Sequence, residues 1–141
     1  MTTSINLTGN SLKNNIIGNA GVNVLDGKAG NDTLQGREGA DSYAFTTVLG
    51  PENVDVILGF SSADDTIVLE NNGVFVGLAG GALNANAFVI GTAAQDANDR
   101  IVYDQATGRL FFDADGGAGA QVQFARLDGA PIIAANDFTV I

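Results

Sequence analysis

The sequence predicts an all-β fold in which short parallel strands wind as a solenoid, continued by a C-terminal cap of β-strands. Residues 9–44 form four abutting nine-residue repeats, the residues after 45 alternate as β-strands do, and helical periodicity is almost absent. With 141 residues, of which 45% are hydrophobic, the chain can bury one core. We therefore expect a single module over 1–141, with a repeat region at 9–44 and a β-strand cap at 45–141.

The repeats span 9–17, 18–26, 27–35 and 36–44. In each, a turn-like stretch of six residues precedes three strand-like residues, which are too few for an ordinary hairpin sheet. Turn, strand, turn and strand together complete one coil, so each strand pairs with the equivalent strand two repeats later. Ile16 and Leu34 then stack in one sheet and face Leu25 and Tyr43 in the other.

Backbone geometry explains the glycines of the turns. A reversal this tight needs a positive φ, which glycine and, less readily, asparagine adopt at low cost. The fourth turn position is glycine in three repeats and Leu12 in the first, and the second position is never glycine. The first two turns are therefore the less regular copies. The sixth position, at the exit of each turn, is Asn14, Asn23, Asp32 or Asp41.

Composition points to a hard cation as the partner. The chain has 16 acidic and 6 basic residues, a net charge of −10, and neither histidine nor cysteine. Nucleic acids and anionic membranes reward Lys and Arg, so both are poor partners. Zinc and copper lack their usual ligands, which leaves oxygen as the available donor. The first residues also lack the charged and apolar regions of a cleaved signal peptide, and we expect no membrane insertion.

The stacking of the turns predicts where a cation binds. Turns on one side of a solenoid lie over each other, so Asn14 lies over Asp32, and Asn23 over Asp41. Each stacked pair brings side-chain oxygens and main-chain carbonyls together, and Ca²⁺ accepts six to eight such oxygens in looser geometry than Mg²⁺. The candidate calcium ligands, side-chain or main-chain, are Asn14, Gly18, Ala20, Asn23, Gly27, Ala29, Asp32, Gly36, Glu38 and Asp41.

Beyond Phe45 the sequence predicts further strands and turns. Strand-like segments lie at 54–60, 65–70, 74–78, 87–91, 100–104, 109–113 and 121–127, with turn sequences at 104–108 and 113–117. Two coils of solenoid cannot bury their own ends. The segment 45–141 is therefore predicted to continue the core rather than to form an independent domain.

The repeats resemble the nonapeptide G-G-x-G-x-D-x-U-x of the RTX, or hemolysin-type, calcium-binding family. Turns three and four carry the resemblance at Gly30 and Asp32 and at Gly39 and Asp41, and it continues through 54–69 and 83–141. It implies a calcium-binding β-roll that is the C-terminal module of a larger bacterial protein, secreted by a type I apparatus and folded by extracellular Ca²⁺. It also implies an export signal in the terminal residues 137–141, and weaker sites at Asn14 and Asn23.

The aspartates and asparagines of the turns also have other interpretations. The Asx side chains can simply bond to the backbone of their turns. Asp64 and Asp65 are interpreted as a solvated turn, with the alternative that they supply a ligand beneath the turn of Asp41. Asp113 begins a sequence like an EF-hand loop, but Phe124 stands where a bidentate glutamate is needed, so a hairpin turn is preferred.

Two other functions compete with a calcium-dependent folding and secretion module. A carbohydrate- or surface-binding module is suggested by the aromatic residues Tyr103, Phe111 and Phe112, although strand alternation explains them as core. A glycosidase would use Asp113 and Asp115, but these lie two residues apart on one strand and not across a cleft. We therefore expect no enzymatic activity in this chain.

Overall fold

The computed structural model describes residues 3–117 and 121–141, and in them the chain forms thirteen β-strands and two short 3₁₀ turns. The 3₁₀ turns are Ala85–Ala87 and Ala135–Asp137. No helix in these two ranges has the length and hydrophobicity of a membrane span. The strands are β1 (Asn6–Thr8), β2 (Asn15–Ile17), β3 (Val24–Asp26), β4 (Thr33–Gln35), β5 (Ser42–Phe45), β6 (Asp55–Ile57), β7 (Thr66–Leu69), β8 (Gly81–Ala82), β9 (Phe88–Ile90), β10 (Ile101–Asp104), β11 (Arg109–Phe112), β12 (Val122–Leu127) and β13 (Phe138–Val140).

The strands of the repeats alternate between two sheets and pair in parallel within each, which confirms the predicted all-β roll. One sheet has the order β1-β3-β5-β7-β13-β8, and the other has the order β2-β4-β6-β12-β11-β10-β9. Ile16 pairs with Leu34 in the second sheet, and Leu25 pairs with Tyr43 in the first. Each strand therefore pairs with its equivalent two repeats later, as the spacing predicts.

Both sheets continue beyond the repeats without a break. Strands β6 and β7 add in parallel to β4 and β5, and β12 and β13 add in parallel to β6 and β7. Strands β10, β11 and β12 then pair antiparallel, with the 104–108 turn joining the first two. One sheet therefore runs from β1 in the first coil to the C-terminal strand β13 and to β8, and the other runs from β2 to β9.

The core contains two stacks of large side chains, one in each sheet. Leu25, Tyr43, Ile67 and Phe138 follow each other in one sheet, and Leu34, Ile57 and Leu127 follow each other in the other. All seven are at most 1% exposed. An aromatic cluster extends this core: Phe45 and Phe75 pack against Phe124, and Phe112 packs against Phe75, at ring centroid distances of 5.0 to 5.1 Å.

The predicted strand at 74–78 is wrong. This segment forms turns, because Gly73 and Gly77 on either side of Phe75 have φ of 118° and 96° and break the extended backbone. Phe75 is nevertheless fully buried and packs edge-on against Phe112 and Phe124. The apolar residues of this segment therefore belong to a turn that places Phe75 in the core, and not to a paired strand.

The terminal segment 137–141 is built into the sheet. Strand β13 lies between β7 and β8, and both Phe138 and Val140 are buried. The carboxylate of Asp137 accepts hydrogen bonds from Ser62 Oγ and from the N–H of Ala134. In the folded chain these residues close the core of the first sheet.

Candidate metal centre

Four turns precede the short strands of the repeats, and we name them turn 1 (9–14), turn 2 (18–23), turn 3 (27–32) and turn 4 (36–41). Their last residues form two hydrogen-bonded ladders along the roll. The backbone N–H of Asn14 donates to Asp32 Oδ1 at 2.7 Å, and the N–H of Asn23 donates to Asp41 Oδ1 at 2.8 Å. Asn14 therefore lies next to Asp32, and Asn23 next to Asp41, as predicted.

Each ladder continues to one more aspartate outside the repeats. The N–H of Asp32 donates to Asp55 Oδ1 at 3.0 Å, and the N–H of Asp41 donates to Asp65 Oδ1 at 2.9 Å. Asp65 is therefore buried beneath Asp41. The sequence predicts a solvated turn for Asp64 and Asp65 together, but only Asp64 is exposed.

Asp55 is not among the ligands that the nine-residue period predicts. The signal that marks it is the pattern Asp-x-apolar at 55–57, which repeats the pattern of residues 32–34. The same pattern at 65–67 marks Asp65 as the next member of the other ladder.

The second carboxylate oxygen, Oδ2, of Asp32 and of Asp41 is the distinctive feature of the site. Each of these residues is 1% exposed, and their Oδ2 atoms are buried without any hydrogen-bond partner. Each Oδ2 lies against the first glycine of its own turn, Gly27 or Gly36, in the space that a Cβ atom would occupy. Glycine at the first turn position thus makes room for a buried oxygen that accepts no hydrogen bond.

Burial works against ionisation of these carboxylates. It is the largest influence raising the pKa of Asp32, Asp41 and Asp65 above the ordinary value, and their hydrogen bonds with backbone N–H groups act in the opposite direction. The pKa of Asp55 is raised to about 7, first by burial and then by the negative charges of Asp32 and Asp26. A cation at the turns would favour the charged forms and remove this penalty.

Turns 3 and 4 hold two non-glycine residues in the left-handed region. Lys28 and Arg37, at the second turn position, have φ of 65° and 83°, and Gly30 and Gly39, at the fourth, have φ of 109° and 105°. Such conformations cost free energy for a side chain with a Cβ and tend to persist at functional sites. The side chain of Asp26 supports Lys28, because its oxygens accept from the Lys28 N–H at 2.9 Å and pair with Lys28 Nζ at 3.0 Å.

The chemistry of the donor set fits a hard cation. Ionised carboxylates and carbonyls are acceptors only, so a buried oxygen without a donor is satisfied by a metal ion. Within residues 3–117 and 121–141, no group of three or more acidic side chains could hold an ion alone. An ion at these turns would therefore also need main-chain carbonyls as ligands. The carbonyl oxygens of Gly27 and Gly36 lie against Gly9 of turn 1 and Gly18 of turn 2.

The other predicted ligand positions lie in the same turns. The carbonyl oxygen of Ala20 faces Gly39 of the next turn on its side. Ala29 is half-buried, and the side chain of Glu38 is exposed, so any contribution from Glu38 would come through its main chain. Asn14 and Asn23 lie in the ladders, but their side-chain amides already bond to Asn10 and Asn19.

The residues of the competing functions have structural roles. Tyr103 is fully buried and donates to the carbonyl of Pro131 at 2.6 Å, Phe112 is buried in the aromatic cluster, and Phe111 is half-buried. Asp113 is 1% exposed and accepts from the N–H groups of Asp115 and Gly116. Asp113 therefore supports a turn, as the hairpin interpretation predicts, and Tyr103 and Phe112 contribute to the core.

Comparisons with known proteins agree with this geometry. Residues 8–43 match the RTX calcium-binding nonapeptide repeat in four copies. No curated protein sequence matches the chain. Among solved structures, the chain is similar to the solution structure of the AlgE6R3 subunit from the Azotobacter vinelandii mannuronan C5-epimerase, with 23% identity and a TM-score of 0.54 over 96% of this chain and 77% of that one. This likeness shows a shared fold, and the match to the RTX calcium-binding nonapeptide repeat is confined to residues 8–43, the repeat region of the chain.

Proposed function

We propose that this chain is a calcium-dependent folding module, in which Ca²⁺ binds at turns 3 and 4 and stabilises the roll. The observation that carries the proposal is the pair of buried oxygens, Asp32 Oδ2 and Asp41 Oδ2, that have no hydrogen-bond donor. Leaving such groups without a partner is costly, and an ion that binds only the folded chain removes that cost. The unfolded chain scatters these ligands, so binding and folding are coupled.

Both carboxylates and main-chain carbonyls of the turns would bind the ion. The carboxylates of Asp32 and Asp41 supply charge, with Asp55 and Asp65 as the neighbouring carboxylates of each ladder. The carbonyls of Gly27, Ala29, Gly36 and Glu38 are the proposed neutral ligands. A bound Ca²⁺ supplies positive charge and accepts six to eight oxygens, which suits turns rich in carbonyls.

The expected stabilisation is a large share of the total. A site with a Kd of about 10⁻⁴–10⁻³ M contributes about 1.4 kcal/mol when calcium is at ten times Kd, and two sites contribute about 3 kcal/mol. A chain of this length is stable by roughly 7–20 kcal/mol, and the net charge of −10 lowers that value when no cation is bound. We therefore expect folding to depend on calcium at the concentrations found outside cells.

A calcium titration followed by far-UV circular dichroism tests this function. We expect the β-sheet signal and the melting temperature to rise with calcium, and to rise less with equimolar Mg²⁺. A spectrum and melting temperature that are the same in excess chelator and in excess calcium would contradict the proposal.

We also propose that the module folds outside the cell after type I secretion, with 137–141 as the export signal. The RTX resemblance and the acidic-then-apolar sequence of these residues support this role. Because Phe138 and Val140 are buried after folding, an exporter would read the segment only in the unfolded chain. Low cytosolic calcium would keep the chain unfolded until it has crossed the membrane.

Export by a type I system that accepts RTX proteins tests the signal. Deleting 137–141 is expected to abolish export. The matched control is Ile67→Ala, because Ile67 pairs with Phe138 in the same sheet, so the change weakens the fold but leaves the terminus intact. Equal loss of export in both variants would show that sheet stability, and not the terminal sequence, is responsible.

A further inference from the structure

The four turns fall into two structural classes. At the sixth position, turns 1 and 2 carry Asn14 and Asn23, whereas turns 3 and 4 carry Asp32 and Asp41. At the second position, turns 1 and 2 carry Asn10 and Asn19, and turns 3 and 4 carry basic residues. The two classes also differ in backbone conformation and in how their side-chain oxygens are satisfied.

Turns 1 and 2 are closed by a reciprocal pair of asparagines. In turn 1, the N–H of Asn10 donates to Asn14 Oδ1 at 2.9 Å, and Asn14 Nδ2 donates back to Asn10 Oδ1 at 3.1 Å. In turn 2, Asn19 and Asn23 make the same two bonds at 2.7 and 2.9 Å. The amide of Asn23 also donates to the carbonyl of Gly21 at 2.9 Å.

The first asparagine of each pair also shapes its turn. Oδ1 of Asn10 accepts from the N–H of Leu12 at 2.8 Å, and Oδ1 of Asn19 accepts from the N–H of Gly21 at the same distance. Among the described residues, the non-glycine positions with positive φ include Lys28 and Arg37 but neither Asn10 nor Asn19. At this position the asparagine turns therefore have no positive φ, whereas the aspartate turns use a left-handed backbone.

This backbone difference decides what faces the sixth residue. In turns 1 and 2, the N–H of the second residue points at the Asx oxygen that lies over the first glycine. In turn 3, the N–H of Lys28 points instead to Asp26 Oδ1, and Asp32 Oδ2 is left without a donor. In the asparagine turns a backbone N–H thus supplies the oxygen of the sixth residue with the positive partner that a bound cation would supply in the aspartate turns.

We propose that the first coil is a calcium-independent end of the roll, closed by the pairs Asn10–Asn14 and Asn19–Asn23, and that Ca²⁺ binding in the repeats is confined to turns 3 and 4. An amide offers donors as well as an acceptor, so these turns satisfy themselves, whereas a carboxylate offers acceptors only. This inference rests on the proposed calcium function and limits it to half of the repeats. The first coil then provides a preformed surface on which the calcium-binding turns pack.

The test is the number of calcium ions bound by the full chain, measured by native mass spectrometry and by titration calorimetry. We expect Asn14→Ala and Asn23→Ala to lower the melting temperature equally in calcium and in chelator, to change the calcium midpoint less than twofold, and to leave the number of ions unchanged. Asp32→Ala, in contrast, is expected to remove one ion and to raise the midpoint severalfold.

A gain-of-site variant provides the stronger test. The double substitution Asn10→Gly with Asn14→Asp restores a glycine, which adopts positive φ easily, and a carboxylate in turn 1. We expect this variant to bind one more ion than the unchanged chain, and Asn19→Gly with Asn23→Asp to do the same in turn 2. If these variants fail to fold, the alanine variants of the preceding test still decide the question.

The outcomes separate the two proposals. If the unchanged chain binds one ion at every turn, and Asn14→Ala and Asn23→Ala each lose an ion, calcium binds but the inference is wrong. If the unchanged chain binds no calcium, the proposed function itself fails and the inference fails with it. An unchanged ion count in the asparagine variants, together with a loss in Asp32→Ala, supports both.

Discussion

The phenol oxygen of Tyr43 accepts a hydrogen bond of 2.9 Å from the backbone N–H of Gly36, the first residue of turn 4. In turn 1 the equivalent N–H, that of Gly9, donates instead to a main-chain carbonyl, Asp26 O, at 2.8 Å. Tyr43 is 1% exposed, and burial raises its pKa to about 12, so the hydroxyl stays neutral at ordinary pH. A core side chain therefore holds the beginning of a turn that we propose binds calcium.

Removing this hydroxyl is expected to weaken both the fold and calcium binding. In Tyr43→Phe the buried N–H of Gly36 loses its acceptor, which costs about 1–3 kcal/mol. Because Gly36 also lies against Asp41 Oδ2, we expect the calcium midpoint to rise as well. Chemical unfolding and calcium titration of the purified variant measure the two effects.

Tyr103→Phe is the matched control for this prediction. Tyr103 is equally buried, and its hydroxyl donates to Pro131 O, which belongs to the cap and not to a turn of the repeats. We expect this change to lower stability and to leave the calcium midpoint unchanged once the loss of stability is taken into account. Equal shifts in both variants would show that Tyr43 has no particular role at turn 4.

The register of the first two coils could be predicted from sequence because it depends on a simple period. One large apolar residue per repeat leaves a single alignment that buries all of them, and Leu25 pairs with Tyr43 accordingly. The ladders beyond the repeats could not be predicted in the same way. Asp55 and Asp65 follow their partners by 23 and 24 residues rather than by 18, because inserted loops interrupt the period.

Local backbone geometry accounts for the other differences. The segment around Phe75 alternates like a strand, and only the positive φ of its flanking glycines reveals a turn. The pairing of Asn10 with Asn14 was visible as two asparagines four residues apart, and residues 19 and 23 repeat it. Its meaning depends on which way the N–H of residue 10 points, and sequence alone does not decide that.

Replacing Asp32 or Asp41 by asparagine is expected to have opposite effects with and without calcium. Each change removes the charge of a proposed ligand, so the calcium midpoint should rise severalfold. In chelator, the same change removes a buried charge that has no partner at Oδ2, so the melting temperature should stay constant or rise. Differential scanning calorimetry in calcium and in chelator measures both effects.

The control for these substitutions is Asp64→Asn. It changes the net charge by the same amount, but Asp64 is exposed and belongs to neither ladder. We expect no change in the calcium midpoint. If Asp32→Asn lowered the stability in chelator as much as it does in calcium, the proposed role of the Oδ2 atoms without a hydrogen-bond partner would be wrong.

Filling the space over turn 4 is expected to displace the Asp41 carboxylate. In Gly36→Ala the new Cβ would collide with the Asp41 side chain, including its Cβ at 2.8 Å. The backbone of Gly36 is not left-handed, so this collision is the main effect, with a cost of about 1–3 kcal/mol. We expect weaker calcium binding in titration calorimetry.

Gly50→Ala is the comparison for this change. A Cβ at Gly50 meets nothing within 4 Å, and the position also has no positive φ. Its effect on stability is expected to stay within about 0.5 kcal/mol, with unchanged calcium binding. Full calcium affinity in Gly36→Ala would show that the space beside Asp41 Oδ2 is not part of the site.

As pH rises, we expect the stability of the calcium-free chain to fall and its affinity for calcium to increase. The pKa of Asp55 is about 7 in the folded chain against an ordinary value of 3.8, because burial and neighbouring charges disfavour its ionisation. A group with a raised folded pKa stabilises the fold fully below its unfolded pKa, and this contribution is lost as pH rises through the folded pKa. In chelator, therefore, the free energy of unfolding should fall between about pH 4 and about pH 7, from the unfolded to the folded pKa of Asp55, and Asp55→Asn should flatten that slope. Calcium binding requires ionised carboxylates, so the calcium midpoint should fall over the same range as pH rises. Urea unfolding in chelator measures the first trend, and calcium titrations across this range measure the second. A rise of stability with pH in chelator would show that these buried aspartates do not control the stability of the metal-free fold.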